Sequence, residues 1–549
     1  MKLLLLSAAL EDSTMSFPLA SRLLQALLKT RFSPDRLEVE TLDLTLDTPW
    51  EENLRRVKEA LSRFRPGLAG FSVYLWNRRF MADLAGAVHE GFPEIRLIAG
   101  GPEATANPEA LRRGGPFDYL VLGEGEETLP ALLEALEKGN IAPDIPGVWI
   151  PGDTAPPAPA YTADPGAFPS PFLTMKEKWE TYPGLLWETS RGCPFKCTFC
   201  YESRGSGKVR PFPLERIEKE LALLAERGVD QVFLLDPAFN TDKKRALAIL
   251  KAMARIAPDI HYTFEITAEQ LTAEVADAFA VLEVSLQMGL QSSRPEILKS
   301  LNRRLDPEKF RRKCALLSER GIPFGVDLIY GLPGDSLEGF QKSLDYALDL
   351  DPAALDIFPL AILPGTVLGM QAAEGRFPGL TYRTEAPYTV ITTPEFPAVD
   401  LALAEKLTAG VDEFFNKGRA STWYRRIAAL VDLKPAVLMA GYSTWLEKGG
   451  RDTAPGVEDR QIAYLRSLSP LKEDENLAAA AESLIRLHQG LHRAAESGTA
   501  ALELFHHPDQ LDLLEEISLE EFARIAPPRH QEWLLTLEEE GFSFIPVGW

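Results

Sequence analysis

Over the first 140 residues, short apolar blocks alternate with longer stretches in which apolar residues recur every three or four positions. The blocks at 2–7, 37–44, 68–74, 95–99 and 119–122 predict strands. The stretches at 17–30, 51–64, 80–90, 108–113 and 126–138 predict helices, with Leu23, Leu24, Leu27 and Leu28 spaced as a helix face. Regular alternation of the two implies a parallel sheet covered on both sides, a doubly wound α/β fold. Ligands of such folds sit beyond the carboxyl ends of the strands. Those ends contain Ser72, Tyr74, Trp76 and Asn77, then Gly100, Gly101 and Glu103, then Gly123, Glu124, Gly125 and Glu126. The glycines remove a Cβ, which serves either a tight strand-to-helix turn or the approach of a ligand, and the turn is the simpler reading. No G-x-G-x-x-G opens the first helix, so a dinucleotide is poorly supported.

Residues 141–175 are rich in proline and read as an extended linker. A second alternation follows, with strand blocks at 185–189, 231–236, 261–266, 284–289, 324–331 and 355–360. Six βα units with right-handed crossovers predict a full or partial α/β barrel, with chemistry at the carboxyl ends of its strands. From 396 onward the pattern is helical and acidic, with a strand candidate at 542–547. The expected division is therefore 1–140, a linker at 141–175, a barrel at 176–395 and a mainly helical domain at 396–549.

Composition narrows the function. The formal charge is −22, from 58 basic and 80 acidic residues, which disfavours nucleic acid as a partner. The opening MKLLLLSAAL reads better as a buried strand than as a secretory signal, because Glu11 and Asp12 follow it directly. No stretch reaches the ~18 apolar residues of a membrane span, and a cytoplasmic protein is expected. Three of the four cysteines, Cys193, Cys197 and Cys200, lie within eight residues, which points to a metal site in a reducing compartment. Three thiolates are one short of a closed zinc site or a fully ligated iron–sulfur cube, and the nearest histidine in sequence is His261. A cube held by three cysteines keeps one iron open, as a catalytic metal site requires.

The segment Cys193-Pro-Phe-Lys-Cys197-Thr-Phe-Cys200 resembles the C-x3-C-x-aromatic-C signature of the radical S-adenosylmethionine (SAM) superfamily. The resemblance covers 185–366. It implies a [4Fe-4S] cluster on Cys193, Cys197 and Cys200, whose open iron chelates SAM. It also implies one-electron cleavage of SAM to a 5′-deoxyadenosyl radical. By position in the family pattern, Phe199, Asp236, Asn240, Glu265, Gln291, Gly331, Pro333 and Leu363 are the expected SAM contacts. The chain departs from the pattern in lacking a G-G-E triplet near Asp236.

A doubly wound domain ahead of such a barrel resembles the cobalamin-binding subfamily, in which a Rossmann-like domain holds the corrinoid at its strand ends. Ser72, Tyr74, Trp76, Gly100, Gly101, Gly123, Glu124, Gly125 and Glu126 are then the expected cobalamin contacts. The D-x-H-x-x-G motif that supplies an axial histidine is absent, and His89 is the only histidine before His261. A lower cobalt face without histidine is expected, with Trp76 a candidate neighbour. The tRNA methylthiotransferases of the superfamily carry three further cysteines in their first domain, and no cysteine precedes Cys193 here.

The function implied is methylation of an unactivated carbon of a small molecule through methylcobalamin and a 5′-deoxyadenosyl radical, with a reductant such as flavodoxin or ferredoxin as partner. Another radical rearrangement or cyclisation, or a non-catalytic cobalamin or redox sensor, stays open. His488 and His492, four apart, read as solvated or capping residues, His506-His507 as a helix end, and Glu538–Glu540 as a solvated helix face. Arg303, Arg304, Arg311, Arg312 and Lys313 form a basic patch that either balances nearby carboxylates or meets an acidic partner.

Overall fold

The computed structural model describes residues 1–150, 152–174, 182–202, 207–538 and 541–547. The N-terminal sheet contains β1 (Lys2–Ala9), β2 (Glu38–Thr45), β3 (Leu68–Ser72), β4 (Arg96–Gly100), β5 (Tyr119–Val121) and β6 (Val148–Trp149), in the order β2-β1-β3-β4-β5-β6. Strand β1 shows why its run is apolar throughout. Leu4 and Leu6 enter one core layer, with Val57 and Leu61 from one helix and Leu84 and Val88 from another. Leu3 and Leu5 enter the opposite layer with Leu28, Leu129 and Leu132. A strand buried on both faces has no place for polar alternation.

The first five strands run parallel, as the alternation implies. Strand β6 is antiparallel to β5 and lies inside the stretch read as a linker. Val148 and Trp149, both buried, were the available signal there. The proline-rich stretch is also tied down, since Ala160 bridges to Gly123.

The second sheet comprises β7 (Leu185–Trp187), β8 (Gln231–Leu234), β9 (His261–Ile266), β10 (Val284–Gln291), β11 (Phe324–Tyr330) and β12 (Ala354–Pro359), in the order β12-β11-β10-β9-β8-β7. This is an open six-stranded version of an α/β barrel.

The chain separates into two compact units. The first is 1–288 with 298–322 and 361–391; the second is 289–297 with 323–360 and 392–549. In the second unit the edge strand β12 is finished by a side chain. The Asn416 amide, in the π-helical turn Asp412–Lys417, donates to Leu355 O at 2.9 Å and accepts from Leu355 N at 3.0 Å. That pairing imitates a neighbouring strand and blunts an open edge.

The C-terminal part is mainly helical but ends in an antiparallel meander of β13 (Thr499–Leu504), β14 (Gln531–Glu538) and β15 (Gly541–Pro546). Two of these strands carried no recognised signal, although Thr499–Leu504 buries every second residue. Glu538 closes a strand, not a helix, and Glu539–Glu540 lie outside the described residues. His507 caps the short helix Pro508–Leu511, as its place before Pro508 implies. His506 is buried between Ser483 Oγ and the Ala526 carbonyl. Among the described residues no helix is long and apolar enough to cross a membrane.

Candidate active site

The cysteine loop leaves β7 through Glu188 and Thr189. The pairs Ser190–Arg191 and Arg210–Pro211 close its base as a short antiparallel ladder. Asp236, just beyond β8, braces that base. Its carboxylate accepts from Thr189 N at 2.7 Å, Thr189 Oγ1 at 2.7 Å and Ser190 Oγ at 2.5 Å. Arg245 adds bonds to the carbonyls of Thr189 and Phe212.

Further along, Thr198 N donates to Leu301 O at 3.0 Å, Asn302 Nδ2 to Lys196 O at 2.8 Å, and Leu368 N to Thr198 O at 2.8 Å. The backbone around Cys197 and Cys200 is thus fixed from two sides. Cys197 is buried, Cys193 and Cys200 are half-buried, and none of the four cysteines is in a disulfide. Burial pushes the Cys193 thiol up, with Arg303 acting in the opposite sense. Cys314 lies apart as a buried apolar residue whose thiol burial pushes up to about 12.

The loop fits an iron–sulfur cube. It offers three thiolates on a braced backbone and a buried Thr198 hydroxyl without a protein partner. Among the described residues no three His, Cys, Asp or Glu side chains converge on one ion. A cube takes its thiolates on separate irons, so it requires no such convergence.

The N-terminal sheet has the strand order 2-1-3-4-5, whose topological switch point lies between β1 and β3. Asn77, fully buried, holds the loop after β3 at that point. Its amide donates to Ala8 O at 3.0 Å and Ser72 O at 3.1 Å, and its carbonyl accepts from Tyr74 N at 2.8 Å. The loop presents Trp76, 47% exposed, stacked on Tyr74 at 4.5 Å between ring centroids. A flat aromatic surface at the switch point fits the face of a corrin ring. His89 sits at the far end of helix Arg78–Gly91, eleven residues or roughly 16 Å from the end nearest this loop.

Two of the expected glycine contacts serve the chain itself. A Cβ on Gly101 (φ +108°) would lie 2.6 Å from Val73 O, and one on Gly123 (φ +93°) 2.0 Å from Ala160 O. Their space is filled by backbone, which is the turn reading. Gly100 and Gly125 would meet only ordinary or slightly tight side-chain contacts.

Glu124 and Glu126 are likewise engaged within the protein. Arg191 binds Glu126 at 2.6 Å and Glu188 at 3.0 Å, while Arg210 binds Glu124 at 2.7 Å. Burial works upward on Glu124, but Arg210 and Arg191 outweigh it and leave it below the usual carboxylate value. For Glu126 burial prevails over Arg191 and the pKa is raised. Glu202, two residues past Cys200, is raised by burial and by Glu188. Burial and Glu188 also push the Tyr74 phenol up to about 12.

Within the first unit, then, the β5 loop of the N-terminal sheet meets the base of the cysteine loop, and Tyr74 of the β3 loop lies within electrostatic reach of it. A second link is made by Tyr388, whose buried hydroxyl donates to Glu103 Oε2 at 2.8 Å and accepts from Asn107 at 3.2 Å and from Arg78. Tyr388 O also receives Ile362 N at 2.9 Å, next to Leu363. Gly365 packs near Tyr201 and Ala106.

Among the expected SAM contacts, Asp236 is 2% exposed and holds the loop base instead of facing open space. Asn240 is 1% exposed, its amide paired with both N and O of Thr267. Both brace neighbouring backbone in this structure. Phe199 is half-buried in the loop, Glu265 half-buried on β9 beside Gln287, and Leu363 half-buried in the segment after β12. Gln291 (φ +70°), Gly331 (φ +81°) and Pro333 belong to the second unit. Sequence reasoning missed Arg191, Arg210 and Tyr388. The two arginines flank the cysteine segment, but nothing local reveals that their partners lie some 65–86 residues earlier.

Comparison with known proteins agrees with this geometry. Residues 11–133 match the B12 binding domain and residues 187–347 the radical SAM superfamily. The chain is 28% identical over 328 residues, 57% of its length, to an uncharacterized methyltransferase of Pyrococcus horikoshii, covering 70% of that protein. It is 27% identical over 55% of its length to the cobalamin-dependent radical SAM methyltransferase TokK of Streptomyces tokunonensis, and spans about half (48%) of that relative. The cobalamin-dependent SAM radical enzyme OxsB with aqua-cobalamin bound superposes with a TM-score of 0.63 at 15% identity, over 95% of this chain and 83% of that one, a likeness of fold. The chain therefore carries a B12 binding domain at its start and a radical SAM domain after it.

Proposed function

We propose that the protein transfers a methyl group from SAM, by way of cobalamin, to an unactivated carbon of a small molecule. The observation that carries this reading is the meeting of the two strand-end regions within one compact unit. The Glu124–Glu126 turn adjoins the base of the cysteine loop through Arg191 and Arg210, and Tyr74 lies within electrostatic reach of Glu188 and Arg191 at that base. When bound, the cluster, SAM and cobalamin supply a hydrogen-abstracting radical and a transferable methyl group.

The protein's own residues perform positioning. Cys193, Cys197 and Cys200 would hold the cluster, and Asp236, Asn302 and Thr198 keep their backbone in place. Phe199, Glu265 and Leu363 of the first unit are proposed to contact SAM. Trp76, Tyr74 and Ser72 are proposed to line the corrin. The Trp76 indole, which has no free nitrogen lone pair, would give the corrin an apolar neighbour that donates no electrons to the metal. Arg191, bound to three carboxylates, keeps charge balanced in a region whose burial would otherwise penalise them.

The division into corrinoid domain, barrel and C-terminal domain, the cytoplasmic location and the carbon acceptor are parts of the same proposal. Methylating relatives such as TokK support it. Anaerobic reconstitution tests it. About four irons and four sulfides per chain, one cobalamin, and 5′-deoxyadenosine released alongside S-adenosylhomocysteine are expected. Label from methyl-deuterated SAM then appears on carbon of the product. Corrin binding without any SAM turnover would favour a sensor instead, and 5′-deoxyadenosine without methyl transfer another radical reaction.

A further inference from the structure

Between residues 299 and 313 the chain has seven basic and two acidic residues, although the whole chain carries −22. This segment lies in the first unit and touches the cysteine loop directly. Leu301 O accepts Thr198 N, and the side chain of Asn302, itself in a left-handed conformation (φ +56°), holds Lys196 O. Arg303 acts electrostatically on Cys193. Around this junction Lys196, Lys299 and Arg304 are exposed, and so are Pro194 and the 36%-exposed Phe195. Lys313 is turned away, bonded to Leu271 O.

A strongly acidic protein that concentrates positive charge at one place invites one kind of partner there. The cluster needs an electron that neither SAM nor the substrate supplies. An electron carrier must approach where the cysteine loop reaches the surface, which is beside these cations.

We infer that the Arg303–Arg304 surface with Lys196 and Lys299 docks an acidic, low-potential one-electron carrier protein over the cysteine loop. One electron passes from the reduced carrier, which is oxidised, to the cluster, which is reduced. The inference rests on the cysteine loop holding a cluster, and the experiment separates the two claims.

In the reconstituted protein, cluster reduction is followed optically and by spin resonance with two donors, reduced methyl viologen and a reduced acidic flavodoxin. Lys299→Glu with Arg304→Glu is expected to lower the flavodoxin rate constant about tenfold at low salt, leaving the viologen rate unchanged. The wild-type flavodoxin rate should fall towards that of the variant as salt rises. Equal flavodoxin rates in variant and wild type would overturn the docking surface. So would a variant that lost only tRNA retention, which would assign the patch to nucleic acid. No reduction by viologen would overturn the cluster itself.

Discussion

Replacing Asp236 by alanine separates a bracing role from a SAM-binding one. The change removes one acceptor group from three donors, the Thr189 amide and the hydroxyls of Thr189 and Ser190. A buried amide left without a partner costs about 1–3 kcal/mol, and each hydroxyl bond about 0.5–1.5 kcal/mol. The carboxylate is itself held under burial that raises its pKa, so losing it returns part of that cost. A net loss of about 2–4 kcal/mol, borne by the base of the cysteine loop, is expected. The assay is iron and sulfide content after anaerobic reconstitution, together with the urea midpoint of the metal-free protein. Asp236→Ala should lose cluster and midpoint together. Asp236→Asn should recover most of both, because the amide oxygen still accepts from Thr189 N while the hydroxyls turn to accept from its NH2. If Asp236→Ala kept its iron and its midpoint but lost SAM affinity, the bracing assignment would be wrong and the residue would be a ligand.

Three other outcomes follow from particular contacts. Tyr388→Phe leaves Glu103 and Asn107 without their shared hydroxyl; a loss of about 1–3 kcal/mol and faster hydrogen exchange at Ile362 are expected, with iron content unchanged. Gly123→Ala puts a methyl group 2.0 Å from Ala160 O at a φ of +93°, so limited proteolysis should cut the proline-rich stretch sooner than in wild type. His488 is held by burial, with Arg426 and His492 adding to it, at about 4. The unfolded chain binds a proton near 6.5 that the folded one refuses, so stability should fall by up to about 3 kcal/mol as pH drops from 6.5 to 4; a His488→Gln variant should show a flatter pH profile in urea melts.

The strands and helices of both sheets were legible because parallel strands buried on two faces leave continuous apolar blocks, as Leu3 to Leu6 show. The cysteine loop was legible because ligand spacing is local. What escaped was tertiary. Strand β6 has only two residues, and the alternation of β13 follows a long helix without a strong break. Asp236 and Asn240 stand where ligands of the family stand, but whether a polar residue faces a cavity or its neighbours' backbone depends on partners at 189–190 and 267. Glu124 and Glu126 look free in sequence because Arg191 and Arg210 come so much later.

The ion pairs between the β5 turn and the cysteine loop bear on mechanism as well as stability. Each carboxylate there is largely buried, and removal of one partner from such a pair costs far more than the pair contributes. Arg191 cannot be lost without stranding Glu126, and loss of Arg210 leaves Glu124 only the Thr162 amide and the longer 3.7 Å pair with Arg191. Both arginines lie on the two-residue ladder that closes the cysteine loop. The same short ladder therefore sets the position of the thiols and the position of the Glu124–Glu126 turn. Under the proposed function these two regions would hold two cofactors, and a buried charged ladder shared by both is a rigid way to fix their separation.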